Sequence, residues 1–157
     1  MPDLVSKQLL HIPIDFYGFA LQDIDDSAVP VPYPDDVDPE LNPAGFLTFH
    51  EGRIDVQSAG HTHEIRFVAE VWDSEPGEDH SKEWEAQATG ELRSPSGELA
   101  FWTVAGSPDE TVLLGKATDL WRVRMYSAGR TEVQRLAQRG VPKGIEQYLA
   151  QFWPTGR

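Results

Sequence analysis

The chain has 157 residues, 26 acidic against 13 basic side chains, a formal net charge of −13 and no cysteine. That length is enough for one domain with its own hydrophobic core, and the absent thiols exclude disulfides, thiolate metal sites and cysteine nucleophiles. So acidic a surface is unsuited to tracking a phosphate backbone, where each contact needs a cation, and direct nucleic-acid binding is not expected.

The charge is uneven. Residues 1–115 carry 5 basic and 23 acidic groups, net −18, whereas 116–157 carry 8 basic and 3 acidic, net +5. Such a partition reads first as complementarity within the fold and second as an acidic face for a basic partner. The start of the chain lacks a basic segment followed by an apolar run, and no apolar stretch approaches the roughly 18 residues of a membrane span. A cytoplasmic protein without a membrane partner is the expectation.

In chain order, residues 8–21 read as a strand, with Ile12, Ile14 and Phe16 on alternate positions. Pro13 cannot donate to a ladder, which places the strand at an edge, at a strand start or at a bulge. From about 23 to 43 the composition turns to Asp, Glu and Pro, a long acidic loop. Residues 46–72 read as two or three antiparallel strands. Val68 and Trp72 fall on the second face of the last one, so that face is not fully wet.

An acidic Pro-Gly loop at 74–82 precedes a strand from Trp84 to Arg93; a turn at Pro95-Ser-Gly leads into Leu99–Val104, expected as the second arm of a hairpin. Val112, Leu113 and Leu114 form a short apolar piece. At 121–126, Trp121, Val123 and Met125 share a buried face, and Arg122, Arg124 and Tyr126 share the other. Thr131 stands in an N-cap position for a short helix over 131–139 that stops at Gly140, and 145–154 reads as the last strand.

Chemistry-bearing patterns are sparse. Nucleophile elbow, Walker loop, dinucleotide fingerprint, His-Glu-x-x-His and EF-hand signatures are all absent from the sequence, so no cofactor is expected and catalysis is disfavoured. His61 and His63, two apart, would share one strand face and offer two metal ligands, with His50 or an acid as a third; solvated turn histidines explain them more simply. Asp35, Asp36, Asp38 and Glu40 offer hard oxygens without the glycine and distant glutamate of a calcium loop, and read as a solvated loop or a contact for a partner. Arg122, Arg124 and Arg130 carry guanidinium forks that suit an anion, or the abundant carboxylates of the chain itself. Trp72, Trp84, Trp102, Trp121, Tyr126, Tyr148 and Trp153 could line an apolar or carbohydrate pocket, but most fall at alternating strand positions and read as core.

The segments 121–130, Trp-Arg-Val-Arg-Met-Tyr-Ser-Ala-Gly-Arg, and 148–154, Tyr-Leu-Ala-Gln-Phe-Trp-Pro, resemble a pattern in an uncharacterised family of small actinobacterial proteins. More distantly, the order of an N-terminal strand around Phe16–Asp23, a central strand pair and this ending is similar to the competence protein J and nuclease-inhibitor group. That resemblance covers about a third of the chain and transfers no site residue. It implies an acidic protein that occupies the basic groove of a nuclease.

The expectation is a single mainly-β domain over 1–157, an antiparallel sandwich or curled sheet of about seven to nine strands with one short C-terminal helix between the last two. An α+β sandwich is the alternative. The expected function is non-enzymatic binding, as a monomer or homodimer, with an inhibitor or immunity protein against a basic partner as the specific form. The competing reading is an enzyme or metal-binding protein that sets His50, His61 or His63 beside Glu70 or Asp73.

Overall fold

The computed structural model describes residues 2–25, 46–104, 106 and 108–155. Asp35, Asp36, Asp38 and Glu40 lie outside the described residues, as does most of the Pro-rich stretch. The elements are β1 (Leu4–Ile14), β2 (Gly18–Asp23), β3 (Leu47–His50), β4 (Arg53–Gln57), β5 (His63–Trp72), β6 (Ala86–Arg93), β7 (Glu98–Trp102), β8 (Thr111–Leu113), β9 (Leu120–Ala128), α1 (Arg130–Leu136) and β10 (Lys143–Pro154).

The strands form two five-stranded sheets, ordered β1-β5-β10-β9-β6 and β3-β4-β2-β7-β8. Neighbours are antiparallel except β5 and β10, which run parallel. This is the expected mainly-β sandwich with one short helix before the last strand, although it has ten strands among the described residues. Pro13 lies in β1, at the edge of its sheet, where its missing N–H is tolerated.

Alternation decides the core. Ile12, Ile65, Phe67, Val123 and Phe152 from one sheet meet Phe19, Leu21, Ile54, Phe101 and Val112 from the other. Phe67 packs edge-on against Phe101 at 5.2 Å, and Phe19 against Tyr148 at 5.3 Å. Each such buried side chain contributes about 1.5–3 kcal/mol through area removed from water. At the seam between sheets, Gln8 acts as a substitute peptide group: its amide donates to the Thr111 carbonyl at 3.0 Å and accepts from Leu113 N at 2.8 Å.

Three expectations need correction. Residues 8–21 are two strands, since the chain reverses at Phe16 and Tyr17. β6 and β7 do not form a hairpin; β6 pairs with β9, and β7 with β2 and β8. The reason is Asp23 at the end of β2, whose Oδ1 accepts the hydroxyls of Ser94 at 2.5 Å and Ser96 at 2.6 Å and so carries the chain to the other sheet. The helix begins at Arg130 after Gly129, and Thr131 is not its cap. Glu85 supplies the cap from another segment, accepting from Arg130 N at 3.0 Å and Thr131 N at 3.1 Å.

The second face of the β5-β10-β9 sheet is covered, as Val68 implied. Trp84 packs on Val68, Tyr126 and Leu149. The Tyr126 hydroxyl accepts from Asp79 N at 2.9 Å and donates to Gln151 at 3.2 Å. Beside it Arg124, 7% exposed, donates to the Pro76 carbonyl and to Glu75, both at 3.1 Å, and lies over the Trp153 ring. The face expected to show Arg124 and Tyr126 to solvent is therefore roofed by residues 75–84.

Candidate functional site

β1 and β2 are joined by a two-residue turn. Asp15 and Gly18 face each other across it, and Gly18 N donates to the Asp15 carbonyl at 3.2 Å. The two central residues are both left-handed, Phe16 at φ 51° and Tyr17 at φ 62°. A hairpin wants this geometry because it matches the strand twist, and it normally uses Asn-Gly there. Bulky side chains in this region cost about 1–2 kcal/mol each.

Both rings point outward, 60% and 50% exposed. They flank the His61 ring, whose centroid is 5.0 Å from Phe16 and 5.1 Å from Tyr17. The strained turn is strapped from behind: Tyr17 N donates to the His61 carbonyl at 3.2 Å, and Ser58 N donates to the Tyr17 carbonyl at 2.8 Å.

The strap rests on a buried polar network. Glu146 of β10 is wholly buried. Its Oε1 accepts from Ser58 Oγ at 2.7 Å and from the Tyr148 hydroxyl at 2.8 Å, while Oε2 accepts from Ala59 N at 2.8 Å and Arg130 Nη1 at 3.4 Å. Arg130 continues to the Gln57 carbonyl and lies over the Phe46 ring. Burial first, then the neighbouring Glu146, pushes the Tyr148 hydroxyl well above its ordinary value of 10.0.

His63 completes the network. Its Nε2 is 2.7 Å from Ser58 Oγ and 3.7 Å from Glu146 Oε1. Since Ser58 gives its proton to Glu146, it accepts from an Nε2–H; burial favours the uncharged ring, so Nδ1 is left bare and is buried without a partner. Burial lowers the His63 pKa from 6.5, against the opposing pull of Glu146. A serine-histidine-acid relay requires the acid on the imidazole nitrogen away from the serine. Here acid and serine share one nitrogen in a sealed core, which is an arrangement for holding the 58–61 loop.

Gly60 permits that loop to close over the imidazole. A Cβ there would sit 2.7 Å from the His63 ring.

The residues singled out from the sequence are dispersed. His61 faces solvent beside Thr62, and His63 faces the core, so the two do not share a strand face. Arg122 lies 3.8 Å from Glu91 at the surface, whereas Arg124 is held under the 75–84 segment. His50 Nε2 sits 2.9 Å from Asp55 without hydrogen-bond alignment. Glu70 receives the Trp72 indole at 3.1 Å, and Asp73 receives Asp3 N at 2.8 Å. Among the described residues, no three His, Asp or Glu side chains form a group that would hold a metal. Sequence reading assigned no role to Tyr17, Ser58 or Glu146, took Phe16 as a strand position, and weighed Arg130 only as an anion-binding fork and Tyr148 only as a core aromatic. The one available signal was Gly18 directly after an aromatic pair.

Fold and site together define a two-sheet β-sandwich that presents an exposed, backbone-strapped aromatic turn. Two solved structures share that fold across nearly their whole length. ComJ from Bacillus subtilis, an inhibitor of the DNA-degrading activity of NucA, is similar with a TM-score of 0.66 at 14% identity, over 99% of this chain and 99% of its own. A protein described as crocagin biosynthetic gene J is similar with a TM-score of 0.62 at 13% identity, over 97% of this chain and all of its own. No protein-family model matches the chain, and no curated protein matches it. Neither structure bears on the actinobacterial pattern at 121–130 and 148–154. Among the described residues no helix is long and apolar enough to cross a membrane.

Proposed function

We propose that this chain is a non-catalytic protein-binding module that recognises a basic partner, and in its specific form an inhibitor or immunity protein for a nuclease. The observation that carries the reading is the Phe16–Tyr17 turn: two aromatic rings held outward in a backbone conformation that disfavours them, on a support buried deep in the fold. Exposed aromatics on a rigid element are the usual anchors of protein interfaces.

Two further facts support it. The charge of −13 is suited to a basic surface and to fast, salt-sensitive association. The fold is that of ComJ, which inhibits the DNA-degrading activity of NucA. The Ser58–His63–Glu146 cluster has the residue types of a hydrolase, yet it is sealed and its acid is on the wrong side of the imidazole.

The test is capture of the tagged chain's partner from its source cells after nucleic acid is removed, at low and high salt, followed by assay of the captured protein for DNA cleavage. A stoichiometric basic protein whose DNA-degrading activity falls as the chain is added is the expected result. Retention only of neutral or acidic proteins, unchanged by salt, would refute the reading.

A further inference from the structure

We propose that the Phe16–Tyr17 turn, with His61 and Asp15, is the cradle for a single cationic side chain, a lysine or arginine projected by a protein partner. The inference deepens the basic-partner reading and rests on it, because it assigns that recognition to one place on the surface.

Three observations converge. Phe16 and Tyr17 stand exposed on a turn that their side chains disfavour, and aromatic rings attract cations. His61 lies within about one ring-packing distance of both and closes the group on the side of the 58–61 loop. Asp15, half-buried at the first corner of the turn, has a carboxylate oxygen, Oδ1, that is shielded from water and receives no hydrogen bond. Shielded in this way, the Asp15 carboxylate contributes negative charge beside the rings rather than a direct contact. The net charge of −13 brings cations to the surface as a whole, and the aromatic-carboxylate corner gives one of them a defined seat. A bilayer is the poorer occupant, since anionic headgroups would be repelled by the same charge.

The strain makes the idea testable in the free protein. Replacing Phe16→Asn together with Tyr17→Gly installs the residues that a type I′ turn prefers. If the aromatics serve recognition, the double variant melts at least about 3 °C higher than the wild type. A lower melting temperature would mean that the rings hold the turn for the fold, and would overturn the proposal.

The binding arm uses the full-length chain, isotope-labelled, titrated with a short arginine-lysine peptide free of aromatics. The expected result is saturable amide shifts centred on Asp15–Gly18 and His61, weakened about 10-fold in the double variant and about 3-fold or more in Asp15→Asn. Shifts centred on Glu75–Asp79 or spread over the acidic surface would overturn the cradle and leave the basic-partner reading standing. No response anywhere would count against both. A response of the turn to phosphatidylcholine vesicles and not to the peptide would replace the cation by a lipid surface and overturn the proposal.

Discussion

Glu146 accepts the hydroxyl proton of Ser58 at 2.7 Å across 88 positions of sequence, and that bond connects the centre of one sheet to the loop that straps the aromatic turn. Ala59 N binds the other oxygen of the same carboxylate at 2.8 Å. Tyr17 in turn hangs from Ser58 N and the His61 carbonyl. The exposed rings are thus positioned by a group that never meets solvent.

Glu146→Gln should therefore be damaging out of proportion to its size. The amide NH2 would replace one oxygen and face either Ser58 and Tyr148 or Ala59 and Arg130, setting donor against donor in the core. A loss of about 2–4 kcal/mol in urea unfolding is expected, with faster hydrogen exchange at Tyr17 N than at core strands. Exchange at Tyr17 unchanged relative to the core would disconnect the network from the turn.

The neutral, buried His63 predicts a pH dependence. Its folded pKa lies below 6.5, so the unfolded chain binds the proton more readily. Its contribution is complete above about pH 7 and is lost as pH falls through 6.5 toward the folded value. Melting temperature should decline between pH 7 and 5.5, before most carboxylates titrate, and His63→Gln should flatten that decline. An equal slope in the variant would remove His63 as the cause.

Gly60→Ala places a methyl 2.7 Å from the His63 ring and 3.2 Å from Val133. The imidazole is buried and held by Ser58 at 2.7 Å. Destabilisation of about 1–3 kcal/mol is expected by thermal unfolding; a neutral variant would show that the loop lifts freely.

Tyr126→Phe removes a hydroxyl that accepts from Asp79 N and donates to Gln151. About 1–2 kcal/mol should be lost. Proteolysis within residues 75–84 should accelerate more than global unfolding does, and parallel acceleration of both would mean that this roof is held by Arg124 and Trp84 alone.

Much of the architecture was legible because period-two patterns report directly on which side of a strand is buried. The strands around Ile54–Val56, Ile65–Val71, Trp121–Met125 and Tyr148–Phe152 follow from alternation, and the short helix from Val133 and its flanking glycine. The turn at Phe16–Tyr17 was not legible, since neither residue is one that a left-handed backbone selects; it forms because Ser58 and His61 bind the Tyr17 peptide from another part of the chain. The supposed hairpin at 84–104 failed for a related reason, as Asp23 captures Ser94 and Ser96 over more than 70 positions. By itself the sequence determined an acidic, cysteine-free chain of alternating strands with a buried apolar face. Only the tertiary structure decided that Ser58, His63 and Glu146 meet, that Arg124 and Tyr126 are roofed, and that two aromatics stand exposed at a strained tip, because each depends on hydrogen bonds between segments whose spacing in sequence carries no local signal.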